Sequence, residues 1–244
     1  MKFSKGTTIV LNSLSSINPS VLFPAGENVL RVMDPPKSMF ARATIKETVD
    51  DGMAIYDVPQ FLSTLNMFGE YDLTPEEEYA TIKFPGNGSS MRYVFAHPSV
   101  VNAPDKDMQF PAHHIEFELS KDVLEAILKV SASTGLQDLC ITPDGTDKVA
   151  LKVTNYEAGS TNESNNEWSI TVPATIDEEL GEFMILFYIS SFSKMIKRNY
   201  TVKLSAAKIG SFEATKPETD VDKEYEITYV VAFALESQIE MPEE

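Results

Sequence analysis

The sequence is poor in the residues that build covalent or metal-held scaffolds. Cys140 is the one cysteine in 244 residues, so no disulfide can form within the chain; its place in the apolar triplet "LCI" reads as a small core residue in a reducing compartment. Of the three histidines, His97 is isolated, and His113-His114 has neither H-E-x-x-H spacing nor a cysteine cluster, which argues against a zinc centre. No apolar run approaches the roughly 20 residues needed to cross a bilayer, and no basic start leads into a long apolar stretch near the N-terminus. Neither membrane insertion nor secretion is expected, so the sequons at Asn87, Asn162 and Asn199 carry no expectation of glycans.

Catalytic patterns are equally scarce. Gly86-x-Gly88 in "FPGNGSSMRY" lacks the lysine and following helix of a phosphate loop and reads as a hairpin turn. Asp50-Asp51 and Glu76-Glu77-Glu78 adjoin turns and read as solvated loop charge. There is no serine elbow and no cysteine–histidine pair. The chain is not expected to be an enzyme or to carry a cofactor.

Acidic charge is what the sequence has in excess: 37 Asp and Glu against 20 Lys and Arg, a formal net charge of -17. Such a total argues against a nucleic-acid partner, because phosphate binding relies on basic side chains. The distribution argues otherwise. Four segments have helical periodicity: residues 4–17, with Val10, Leu14 and Ile17 on one face; 58–69, opening at Pro59 and stopping at Gly69; 120–133, capped by Ser120; and 190–199, with Phe192 and Ile196 inward. Together they hold six bases (Lys5, Lys121, Lys129, Lys194, Lys197 and Arg198) and two acids, Asp122 and Glu125. The first helix contains no carboxylate at all. The remainder of the chain carries 14 bases and 35 acids.

Period-two alternation fills most of the rest, as in "HIEFELS", "EWSITV", "NYTVKLSA" and "EITYVVAFALE", and predicts antiparallel strands with one wet face. The helices and strands repeat in order. Phe3-Ser4-Lys5 recurs as Leu119-Ser120-Lys121, and Phe61 matches Phe192, the difference in offset being taken up by the polar insertion "NYEAGSTNESNNEW". Two similar domains are expected, 1–112 and 113–244, joined by the proline-rich connector 97–114. Basic helices facing inward and acidic sheets facing bulk solvent would suit a protein that surrounds DNA without adhering to it sideways.

In the order and spacing of "MKFSKGTT", "AIYDVPQFL", "HPSVVNAPDKDMQFP" and "YVVAFALES", over essentially its whole length, the chain resembles the sliding clamps of DNA replication, and most closely those of T-even-type bacteriophages. The resemblance implies an α+β DNA clamp fold in which each domain packs two helices on antiparallel sheets. Three chains would close head to tail into a six-domain ring in the cytoplasm of an infected host cell. The implied partners are double-stranded DNA, bound without sequence preference, a DNA polymerase and an ATP-dependent clamp loader, with late-transcription factors as further candidates.

The same resemblance sets Lys5, Lys121, Lys129, Lys194, Lys197 and Arg198 toward DNA, with Lys129 muted by Asp122 and Glu125. It assigns a partner-peptide pocket to Met33, Phe40, Val101, Phe110, Pro111, Phe233 and Leu235. Val101 and Phe110 are expected as exposed anchors, while Phe233 and Leu235 fit core packing equally well. The subunit seam falls to the edge strands holding Tyr93, Phe95, Trp168 and Ile170. The rival readings are a β-rich viral structural or adhesion protein, which predicts no basic clustering, and a hydrolase, which requires acidic pairs converging in a cleft.

Overall fold

The computed structural model describes residues 1–156 and 166–239. Asn162 and most of the polar insertion lie outside them. The chain folds as two compact units, Met1–Met108 with Lys216–Thr228, and Gln109–Thr215 with the chain from Tyr229 onward.

In the first unit, α1 (Lys5–Ile17) follows Ser4, whose Oγ accepts the Thr7 amide. It buries Val10, Leu11, Leu14 and Ile17. Strand β1 (Val21–Phe23) pairs with β4 (Met53–Ile55), and β2 (Val29–Met33) with β3 (Met39–Thr44). Helix α2 (Val58–Leu65) is capped by the Asp57 carboxylate, which accepts from the Gln60 amide at 2.8 Å. It ends four residues before Gly69, where the Asn66 side chain donates back to the Leu62 carbonyl. Strands β5 (Asp72–Pro75), β6 (Tyr79–Phe84) and β7 (Ser89–Val94) form a three-stranded sheet with β7 at its edge. The expected Gly86-x-Gly88 hairpin joins β6 to β7, with Gly88 at φ +71 and Asn87 Oδ1 accepting the Ser89 amide. Stacked Phe3 and Phe23, with Phe61 against Tyr93, bind these layers.

The second unit orders its strands β16-β12-β9-β10-β11-β8-β13-β14: Gln238–Ile239, Phe183–Tyr188, Asp138–Pro143, Lys148–Thr154, Trp168–Ile176, Ile115–Leu119, Tyr200–Ser205 and Ile209–Ala214 respectively. Strand β15 (Glu226–Ala232) runs across the boundary between the units. Helix α3 (Lys121–Thr134) starts at the Ser120 cap and stops at Gly135, whose φ of +76 suits only glycine at low cost. The core of this unit is aromatic. Phe187 meets Phe192, Phe212 and Phe233 edge-on, at 5.7, 5.7 and 5.1 Å between ring centroids.

The fourth helix is a correction. Instead of 190–199, α4 spans Ile189–Phe192 alone. Beyond it the chain closes three-residue turns, Lys194 N–H to Ser191 O and Met195 N–H to Phe192 O. Two tyrosines then take the backbone groups of Ile196: its amide donates to the Tyr229 hydroxyl at 3.1 Å, and the Tyr200 hydroxyl donates to its carbonyl. Side-chain bonds at both ends of Ile196 replace the ladder a longer helix would need. No helix among the described residues is long and apolar enough to cross a membrane.

Candidate functional site

The basic residues divide once the side chains are placed. Lys5 lies exposed in the first turn of α1; Lys121 and Lys129 are exposed on α3. Lys197 is exposed and Lys194 half-buried in the turns after α4. Among the described residues Lys129 makes no ion pair with Asp122 or Glu125. Arg198 departs from the expectation. It is 8% exposed, and its Nη2 donates to the Thr215 carbonyl at 3.0 Å, which makes it a buried tie between strand ends rather than a phosphate contact.

Apart from Lys5, the polar face of α1 is uncharged. Asn12 Nδ2 donates to the Thr8 carbonyl, and the hydroxyls of Ser15 and Ser16 both donate to the Asn12 carbonyl. The carboxylates its positive N-terminus calls for come from elsewhere in the unit. Glu47 accepts from the Ser4 amide at 2.6 Å and from the Thr7 hydroxyl, while Glu224 accepts from the Gly6 amide at 2.7 Å. Glu47 and Glu224 were not legible as caps, because nothing local in sequence links them to residues 4–7.

The connector leaves β7 and is fastened to the β2–β3 hairpin. Asp107 accepts from Arg31 Nε at 2.6 Å and faces Arg42 Nε at 3.1 Å. The hydrogen bond from Arg31 holds the Asp107 carboxyl below its ordinary range, with Arg42 adding to it.

The seven expected pocket residues differ in exposure. Phe40 is buried, paired with half-buried Met33 in the hairpin register. Val101, expected as an exposed anchor, is 7% exposed and packs inward; Phe110 is half-buried and Pro111 exposed. Phe233 belongs to the aromatic core against Phe187, whereas Leu235 is 90% exposed.

The expected seam residues lie on or beside edge strands. Tyr93 is on β7, packed on Phe61, and Phe95 lies one residue past it, its amide continuing the ladder to the Glu78 carbonyl. Trp168 and Ile170 open β11, half-buried. Residues 168–173 pair with β10 on one side, and only 174–176 pair with β8 on the other. Thus β7 and the first part of β11 each present a free edge among the described residues.

Acids do meet in one cleft of about 510 Å³, lined by Glu116, Glu118 and Asp147. Two of them already have partners, Thr201 Oγ1 to Glu118 at 2.7 Å and His113 beside Glu116 at 3.2 Å. That arrangement is a solvated sheet surface.

A family profile described as DNA polymerase processivity factor matches residues 2–80. The sliding clamp of Vibrio phage KVP40 is 27% identical over 217 residues, 87% of this chain and 94% of that protein. The sliding clamp of Enterobacteria phage T4 is 29% identical over 143 residues, 58% of this chain and 62% of that one. Among solved structures, the proliferating cellular nuclear antigen of Entamoeba histolytica superposes with a TM-score of 0.67 at 12% identity, covering 96% of this chain and 97% of its own. That likeness is one of fold: helices packed on antiparallel sheets.

Proposed function

We propose that the chain is a sliding clamp of the bacteriophage kind, a non-catalytic factor that confers processivity on DNA polymerase, and that it acts as a homotrimeric ring around duplex DNA. Each copy contributes two similar domains, and the free edge of β7 in one copy meets the free edge of β11 in the next. A head-to-tail interface of this type closes when its rotation divides a full turn.

The observation that carries this reading is the segregation of charge. In a chain of net charge -17, α1, α3 and the turns after α4 expose four bases, Lys5, Lys121, Lys129 and Lys197, against two acids, Asp122 and Glu125. A few exposed lysines give weak, sequence-independent attraction to phosphate, which permits sliding, while the acidic remainder repels DNA from outside. Lys194, half-buried, is a secondary contact. Enclosure supplies retention, so tight binding would oppose function.

A closed ring must be opened to load. The chain offers no phosphate loop, so an ATP-dependent loader in the host cytoplasm does that work. For the polymerase, the exposed Leu235 and half-buried Phe110, with Pro111, are the second unit's anchors of choice for a short apolar peptide, and Phe233 supports them from the core. Met33 is the corresponding anchor of the first unit, where Phe40 and Val101 are buried.

Native mass by light scattering at micromolar concentration, followed by retention on circular against linearised DNA, tests the reading. Three times the 27.1 kDa chain mass, with loss from linear DNA over free ends, is expected. Equal retention on both DNAs would defeat enclosure.

A further inference from the structure

Where β7 ends, the first unit holds a cleft of about 500 Å³. Its apolar lining includes Leu22, Phe23, Met53, Val94, Phe95 and Pro98, and Asp51, Glu77 and Glu78 stand among its polar residues. Val94, at its edge, is 66% exposed. We propose that this cleft receives the indole of Trp168 from a second copy of the chain. The inference rests on the ring reading and adds to it the residue that locks the seam.

Side-chain alternation restricts the register to steps of two residues. All the strand pairings given above are antiparallel, and in such a pair directly opposed residues point to the same face. On β11, Trp168, Ile170 and Val172 lie opposite Val153, Leu151 and Val149, each fully buried, so they face the core. On the β7 edge the core-facing series is Met91, Tyr93 and Phe95, fixed by Tyr93 packing on Phe61 and Phe95 near Tyr93.

If the two sheets join with their core faces on the same side, the registers allowed differ by steps of two residues, and the one that pairs all three members of each series sets Phe95 opposite Trp168, Tyr93 opposite Ile170 and Met91 opposite Val172. Shifting by one residue would turn every core-facing side chain outward. Trp168 then lies at the mouth of the cleft.

Chemistry favours the same occupant. An indole is a large apolar plate with a single N–H donor, and the cleft pairs apolar walls with carboxylate acceptors. Trp168 is half-buried in the isolated chain, so part of its apolar surface is still available for burial.

Trp168 is the sole tryptophan, so its emission reads the site directly. Full-length protein is diluted across the assembly transition while native mass and fluorescence are followed together. The expected result is a blue shift in step with trimer formation, with acrylamide quenching falling about threefold as the indole leaves water. Phe95→Ala, which widens the cleft, should leave the assembled indole redder and more readily quenched, while Val100→Ala, outside the cleft, should behave as wild type. A trimer whose emission and quenching match the monomer, or do not respond to Phe95→Ala, overturns the cleft assignment and leaves the ring intact. No trimer at any concentration overturns both.

Discussion

The Gly6 amide donates to Glu224 Oε2 at 2.7 Å across 218 positions of sequence. A methyl group at Gly6 would fall 2.7 Å from Glu224 Cβ and 2.9 Å from Tyr225 Cδ1. The approach needs glycine, and the contact places a negative charge at the N-terminus of a helix that has none in its own first turn.

Gly6→Ala therefore tests packing against propensity. Alanine is the better helix former by about 1 kcal/mol, but crowding of this kind costs about 1–3 kcal/mol. The expected net effect is destabilisation, read as a lower urea midpoint at unchanged slope. Glu224→Gln keeps an acceptor, loses the charge, and should cost less.

The Asp107 clamp predicts how the connector responds to acid. Its folded value lies below the unfolded one, so its contribution is complete above the ordinary carboxylate range and is lost as pH falls through the depressed value. The side chain is 48% exposed, so solvent screening keeps the stability effect small. Asp107→Asn should increase proteolytic cutting within residues 101–108 at neutral pH with little change in global melting. Unaltered cutting would show that the connector is held by other contacts.

Lys197→Ala and Arg198→Ala should separate cleanly. Losing an exposed phosphate contact lowers the slope of log affinity against log salt by about 0.9 and leaves the fold stable. Arg198→Ala should instead destabilise the chain by about 1–3 kcal/mol, because the Thr215 carbonyl loses its donor, with the salt slope unchanged. Equal salt slopes in both variants would count against the Lys197 assignment.

Cys140 is buried, and burial pushes its thiol up to about 11. Native protein should resist a thiol reagent at pH 8 and react only on unfolding. The raised folded value makes its contribution complete below the unfolded pKa. Between about pH 8.5 and the folded value the unfolded thiol ionises alone, removing up to about 1.4 kcal/mol per pH unit. Cys140→Ala should flatten that alkaline decline in the urea midpoint, and an identical decline in the variant would assign it elsewhere.

Local signals were legible where one segment carries the whole instruction. Ser120 starts a helix, Pro59 opens another, the alternation in "HIEFELS" makes a strand, and Gly86-x-Gly88 turns a hairpin, because caps, turns and periodicity act over a few residues. The order of these elements also carried the likeness to sliding clamps. What the sequence left open needed partners far along the chain. The fourth helix stops at Phe192 because hydroxyls from Tyr200 and Tyr229 take the backbone groups of Ile196. Arg198 and Val101 turn inward where a local reading sets them outward.

The first helix can do without its own carboxylates because Glu47 and Glu224 are brought to it. By itself the sequence determined where α1, α2, α3 and the alternating strands form, since backbone geometry and hydrophobic period are local properties. Tertiary structure alone decided which charges are neutralised and which remain exposed, since a hydrogen bond or an ion pair depends on distance in space.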